Sequence, residues 1–172
     1  MKIYKYSLTA RILYRYANIP ATILLSIHLI SSILLIPEEW YFILPALING
    51  GVIYILNRFY FKIYRQFPFK ISIDNEKMIC SDFMLSDKKY EIQLSSIDDI
   101  RGGIFSGHMA RPVYMHDSRQ DVTLGFYHHI NNYNQLITTV LSNVDKKLYN
   151  EILGRMKDIG DERKGKRNKK AR

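Results

Sequence analysis

IPATILLSIHLISSILLI (residues 19–36) and WYFILPALINGGVIYIL (residues 40–56) contain no Asp, Glu, Lys or Arg, and only Pro37-Glu38-Glu39 separates them. At about 1.5 Å per helical residue the first stretch reaches roughly 27 Å, close to the hydrocarbon thickness of a bilayer. The second runs on into the mixed segment NRFYF. The pattern predicts a membrane hairpin, with transmembrane helices over 19–36 and 40–61 and a short external turn at 37–39. A cleaved signal peptide does not fit the first stretch. Its polar lead is long, no small-x-small cleavage site follows, and a second span comes directly after it.

Charge orients the hairpin. The net charge of +9 is spread unevenly along the 172 residues. Lys2, Lys5, Arg11 and Arg15 precede the spans, Arg58, Lys62, Arg65 and Lys70 follow them, and the turn carries only Glu38 and Glu39. Lys and Arg concentrate on the cytoplasmic side of membrane segments, so both termini are expected in the cytoplasm of a multi-pass inner-membrane protein. Trp40, Tyr41 and Phe42 fit the outer interface, and Tyr14, Tyr16, Phe59, Tyr60, Phe61 and Tyr64 the inner one. A mean hydropathy of −0.16 fits a modest anchor carrying a polar domain. The single Cys80 excludes an internal disulfide framework.

Within the hairpin, Ala46-x-x-x-Gly50 with Gly51 offers a small-residue face for close helix approach, and Ser26, Ser31 and Ser32 offer one on the first span. Pro45 is expected to kink the second span. His28 and Asn49 lie deepest. A lone His without an acidic partner is a poor proton relay, so His28 is expected to hydrogen-bond Asn49 or a carbonyl and hold the hairpin in register. Ala46, Gly50, Gly51, His28 and Asn49 are therefore the predicted helix-packing residues.

The period changes to two from Phe69. FKISI, KMICSDF, YEIQL, IRGGIFS, PVYMH and DVTLGFYHH read as strands broken by turn residues, an antiparallel sandwich or barrel. In NNYNQLITTVLSNV the apolar residues recur in steps of three and four at Tyr133, Leu136, Ile137, Val140, Leu141 and Val144, giving a helix with Asn131 or Asn132 as N-cap. A second amphipathic helix, 146–160, places Leu148, Ile152, Leu153, Met156 and Ile159 on one face, with Glu151 and Arg155 paired on the other. The tail 161–172 is polybasic and expected to be disordered.

Two spans, then a strand series containing YEIQLSSIDDI, then an aromatic strand end leading into FYHHINNYNQLITTVL, together resemble the bacterial PH-like domain membrane proteins. The resemblance covers residues 1–145. It implies a bent antiparallel PH-like sandwich over 62–145 capped by a C-terminal helix; the charge of residues 1–18 separately makes them a basic cytoplasmic lead. It also implies scaffolding or binding, with no catalytic residues to carry over. Phosphoinositide-binding PH domains present Lys and Arg in their first hairpin loop. Here that loop is assigned to Asp74-Asn75-Glu76-Lys77, whose acids would repel a phosphorylated headgroup.

No constellation makes an active site, so the chain is expected not to be an enzyme and to need no cofactor. His108, His116, His128 and His129 fall close together, but His128 and His129 would point to opposite faces of a strand, and no zinc-type spacing is present, so no metal is expected. Asp98 and Asp99 are consecutive and read as solvated charges. GIFSG places Ser106 one position late for a hydrolase elbow. Gly102-Gly103 lacks the Lys of a phosphate loop. Cys80 reads as an inert strand thiol. In the tail, Arg163, Lys164, Lys166, Arg167, Lys169 and Lys170 are the expected contacts to anionic lipid, each worth about 1 kcal/mol at the inner leaflet. Specific nucleic-acid binding is not expected. The expected function is a membrane-anchored adaptor whose PH-like domain binds or positions a protein partner. The alternative is an accessory subunit of a transporter or secretion complex that binds through its hairpin. A homo-oligomer is compatible with either.

Overall fold

The computed structural model describes residues 1–84, 86–108 and 110–170, of which 163–170 are described by their backbone alone. Two units result: Leu8–Arg65, and Met1–Ser7 together with Gln66 onward.

The first unit contains α1 (Leu8–Tyr16), α2 (Asn18–Leu35), a 3-10 turn at Trp40–Phe42 and α3 (Ile43–Gln66). Leu8–Leu35 and Trp40–Gln66, 28 and 27 residues, are long and apolar enough to cross a membrane. Only 11% and 6% of their most apolar windows are buried, which separates them from the core helix of a globular domain. Helix thus begins well before residue 19 and continues past residue 61. Pro45 falls in the first turn of α3, where the backbone N–H it lacks has no helical partner anyway, so it need not kink the helix.

The second unit is mainly antiparallel β. Strands β1 (Lys2–Lys5), β2 (Lys70–Ile73), β3 (Lys77–Ser81) and β4 (Tyr90–Gln93) form one sheet in that order, and β5 (Ile97–Gly102), β6 (Val113–Asp117) and β7 (Val122–Phe126) form another. Period-two alternation turns Ile71, Ile73, Met78, Cys80 and Ile92 into the core, all 1% exposed or less. β1 is the main departure from the sequence reading. Residues 2–5 pair antiparallel with β2, Tyr4 opposite Ile71 and Lys5 opposite Lys70, so α1, α2 and α3 are an insertion between two neighbouring strands. The Asp74–Glu76 turn is consequently the second connection of the sheet, and residues 6–69 are the first. The outer side of β1 is engaged through a bridge from Tyr6 to Ile130, an Asn131 N–H bond to the Lys5 carbonyl (2.9 Å) and a Tyr127 N–H bond to the Tyr6 hydroxyl (2.8 Å).

IRGGIFS is not one strand. β5 ends at Gly102 and residues 103–106 form a 3-10 turn, because Gly102 and Gly103 adopt φ values of +84° and +51°. Ser106 Oγ accepts the Gly102 N–H (3.0 Å), which is a turn-closing role. β7 likewise stops at Phe126, short of the two histidines. After it come α4 (Tyr133–Asn143) and α5 (Lys146–Lys170). Leu136, Ile137 and Val140 of α4 are buried. Asn132 occupies the N-cap position but in a left-handed conformation and without a side-chain cap bond. Leu148 and Ile152 of α5 are buried, whereas Leu153 (46%) and Met156 (37%) are exposed, so the apolar face splits in two. Arg155 Nη2 donates to the Ile100 carbonyl (3.1 Å), fixing α5 against β5. The α5 backbone runs helical to Lys170, through most of the segment expected to be disordered; its Lys, Arg and Glu are good helix formers.

Candidate functional site: the polar seam of the hairpin

Polar side chains in an apolar hairpin need partners, and here they find each other. On α2, Asn18, Thr22, His28 and Ser32 share one helical face, and Asn49, Asn57 and Tyr64 face them from α3. Asn49 Nδ2 donates to the Pro45 carbonyl (2.7 Å) and to His28 Nδ1 (2.9 Å). Ser32 Oγ, buried, donates to the His28 carbonyl (2.8 Å). One end carries a denser network. Tyr64 OH lies 2.7 Å from the Arg15 carbonyl and 2.8 Å from Asn18 Oδ1. Asn18 Nδ2 donates to Asn57 Oδ1 (3.2 Å), and Asn57 Nδ2 donates to Thr22 Oγ1 (3.0 Å) and to the Ile53 carbonyl (2.9 Å). Where no water competes, such bonds fix helix register.

The structure joins His28 to Asn49. A Cβ built on Gly50 or Gly51 meets no atom within 4 Å, so both glycines border open space. Amide and hydroxyl bonds link α2 and α3. Sequence reasoning misses Asn18, Thr22, Asn57 and Tyr64 as packing residues because they lie near the charged ends. Their one signal is the polar spacing of four between Asn18 and Thr22.

Other candidates resolve individually. Among the described residues no group of three or more His, Cys, Asp or Glu could hold a metal. His128 and His129 do not diverge: beyond the end of β7 the alternation of strand faces no longer applies, and their rings stack at 3.8 Å. Burial, and to a lesser degree this proximity, lower the pKa of His129. His128 lines an open cleft of about 600 Å³ with Ile130, Asn132, Tyr133, Asn134 and Gln135. Cys80 is fully buried, which pushes its thiol pKa up and leaves it inert. The side chains of Arg163, Lys164, Lys166, Arg167, Lys169 and Lys170 lie outside the described residues.

Asp98 and Asp99 are pulled apart by a bulge in β5 between Ile97 and Asp99. Asp99 pairs with Arg101 and lies 3.8 Å from Arg155. Asp98 Oδ1 lies 2.7 Å from His116 Nδ1, and Asp121 Oδ1 lies 3.3 Å from His116 Nε2. Ionised carboxylates only accept, so both bonds together require a proton on each ring nitrogen. The Asp98 bond chiefly raises the His116 pKa above its ordinary value. A raised folded-state pKa gives stability that is complete below the unfolded value, near 6.5, and is lost as pH climbs through the folded value. The full chain in detergent should therefore unfold at lower urea concentration as pH rises above about 6.5, and His116→Gln should flatten that slope. An unchanged slope in the variant would remove this latch.

Behind it, buried Asp117 accepts from Ser96 Oγ (2.5 Å) and the Arg119 N–H (3.2 Å), tying the end of β6 to the β4–β5 corner.

No family model, no curated protein and no solved structure matches the chain.

Proposed function

We propose that the chain is a membrane-anchored adaptor of the bacterial inner membrane, multi-pass with both termini cytoplasmic, whose PH-like domain binds or positions a protein partner. One observation carries this reading: the apolar hairpin is inserted between β1 and β2, strands hydrogen-bonded to each other. Chain entry and exit therefore lie at one end of one strand pair, as an even number of spans requires. The 28- and 27-residue apolar helices supply the anchor. The Lys and Arg that flank its open ends, with Glu38 and Glu39 in its turn, favour a cytoplasmic domain. A four-stranded sheet, a three-stranded sheet and then α4 support the PH-like assignment. The cleft at the start of α4 offers a docking place for a protein segment. The basic residues 163–170 add attraction to anionic lipid. No catalytic role is assigned to any residue.

A second reading, an accessory subunit that packs through its hairpin, is favoured by the open space over Gly50 and Gly51. A chimaera decides between them. Replacing residues 8–65 with an unrelated two-span hairpin should leave partner binding intact if the domain is the binding module, whereas loss of the partner on replacement, together with loss in Gly50→Leu of the full chain, would establish the hairpin instead. A fragment starting at residue 69 is unsuitable, because it lacks β1.

A further inference from the structure

His28 has one committed nitrogen and one uncommitted one. The Pro45 carbonyl can only accept, so the group 2.7 Å from it on Asn49 is the amine, and its second hydrogen points to His28 Nδ1 at 2.9 Å. Nδ1 therefore accepts, and the ring proton sits on Nε2. The ring is exposed on the side of α2, and Nε2 makes no hydrogen bond among the described residues. Hydrocarbon offers no acceptor, and His28 lies ten residues from the start of α2 and seven from its end, roughly 15 and 10 Å, farther than an imidazole reaches by snorkelling. Another protein segment is the acceptor that such a site calls for.

One such acceptor lies a turn away on the same face. Ser31 is exposed, and its hydroxyl donates to the Ile27 carbonyl (3.0 Å), which leaves Oγ able to accept. Leu24, His28, Ser31 and Leu35 recur in steps of four, three and four, the period of a two-stranded seam with a polar residue at an a position. Leu24 is 69% exposed. Copies inserted in one orientation meet in parallel and in register, which sets His28 beside His28 of the other copy and leaves that copy's Ser31 as its diagonal neighbour, about 4.5 Å further along the axis. A foreign span would need its own acceptor at that depth, whereas a second copy always carries one. We propose that α2 pairs with α2 of a second copy of this chain along this seam, His28 Nε2–H of each donating to Ser31 Oγ of the other. The proposal rests on the hairpin being embedded in lipid.

Full-length protein in phosphatidylethanolamine–phosphatidylglycerol vesicles tests it. Leu24→Cys should give disulfide-linked dimers on mild oxidation, and Ile30→Cys, on the opposite flank of α2, should not; the wild-type chain, with only buried Cys80, sets the background. Energy transfer between labelled copies at increasing lipid dilution should show Ser31→Ala weakening association about five- to tenfold, since it removes two symmetric interhelical bonds. Ser31→Ala leaves the His28–Asn49 bond in place, so a misfolded hairpin does not explain the loss. Equal cross-linking at positions 24 and 30, or an unchanged association in Ser31→Ala, would overturn the pairing while leaving the anchor intact. Release of the wild-type chain by alkaline carbonate would overturn the embedding itself.

Discussion

Gly102→Ala should unfold the domain or destabilise it by about 3 kcal/mol or more, the combined cost of a disallowed backbone conformation and a steric overlap. Gly102 sits at φ +84°, ψ −176°, a region essentially reserved for glycine. A Cβ there would lie 2.1 Å from the Pro112 carbonyl oxygen, a backbone atom with no rotamer through which to retreat. Pro112 directly precedes Val113, which pairs with Gly102 across β5 and β6, so any retreat must break the three-stranded sheet. Urea unfolding of the detergent-solubilised chain, followed by far-ultraviolet circular dichroism, provides the measurement. The signal of α1, α2 and α3 should persist while the β component melts early. A midpoint within error of wild type would mean that the turn after β5 is not built as described.

The second large effect concerns β1. Tyr4→Ala should cost about 3–5 kcal/mol, the range for truncating a fully buried aromatic, because Tyr4 is 2% exposed in a strand paired with Ile71. Tyr4→Phe should be neutral or slightly stabilising, since the Tyr4 hydroxyl is buried with no partner among the described residues. The pair of variants separates two ideas. If β1 were a loose basic lead, as its charge implies, both substitutions would be silent in urea. If β1 completes the four-stranded sheet, only the alanine variant falls.

That contrast shows how much is legible in the chain. The hairpin is visible because a bilayer-length stretch without charges suits few environments besides lipid. β2, β3, β4 and β6 are visible because each carries its alternation within a few residues. β1 is hidden: its Tyr4 and the following Tyr6 alternate with lysine, but its partner Ile71 lies beyond the whole hairpin, and no local period reports a pairing that distant. The glycine pair at 102–103 announces a turn, yet the apolar residues on either side favour reading one strand through it, which carries Ser106 into the wrong element. Strand geometry separates His128 from His129 only if it is extended past the last strand residue, Phe126. Within the hairpin, residue type locates His28 and Asn49, but only the folded arrangement shows that Asn57 has turned toward Thr22 and that Gly50 faces open space. Small residues report where helices are able to approach, not which neighbour makes use of it.

The insertion between β1 and β2 also sets an order of events during synthesis. Lys5 leaves the ribosome long before its sheet neighbour Lys70. At about 5–20 residues per second the interval is roughly 3–13 s. Through that time β1 waits as an unpaired nascent segment while the helices that follow it are made. The four-stranded sheet closes only when β2 has emerged and the helical insert between them has brought its two ends together, so misfolding of the insert leaves the globular half without its first strand. Pairing of the insert's two ends thereby becomes a precondition for folding, and a copy in which they fail to meet presents itself to proteases as an incomplete domain.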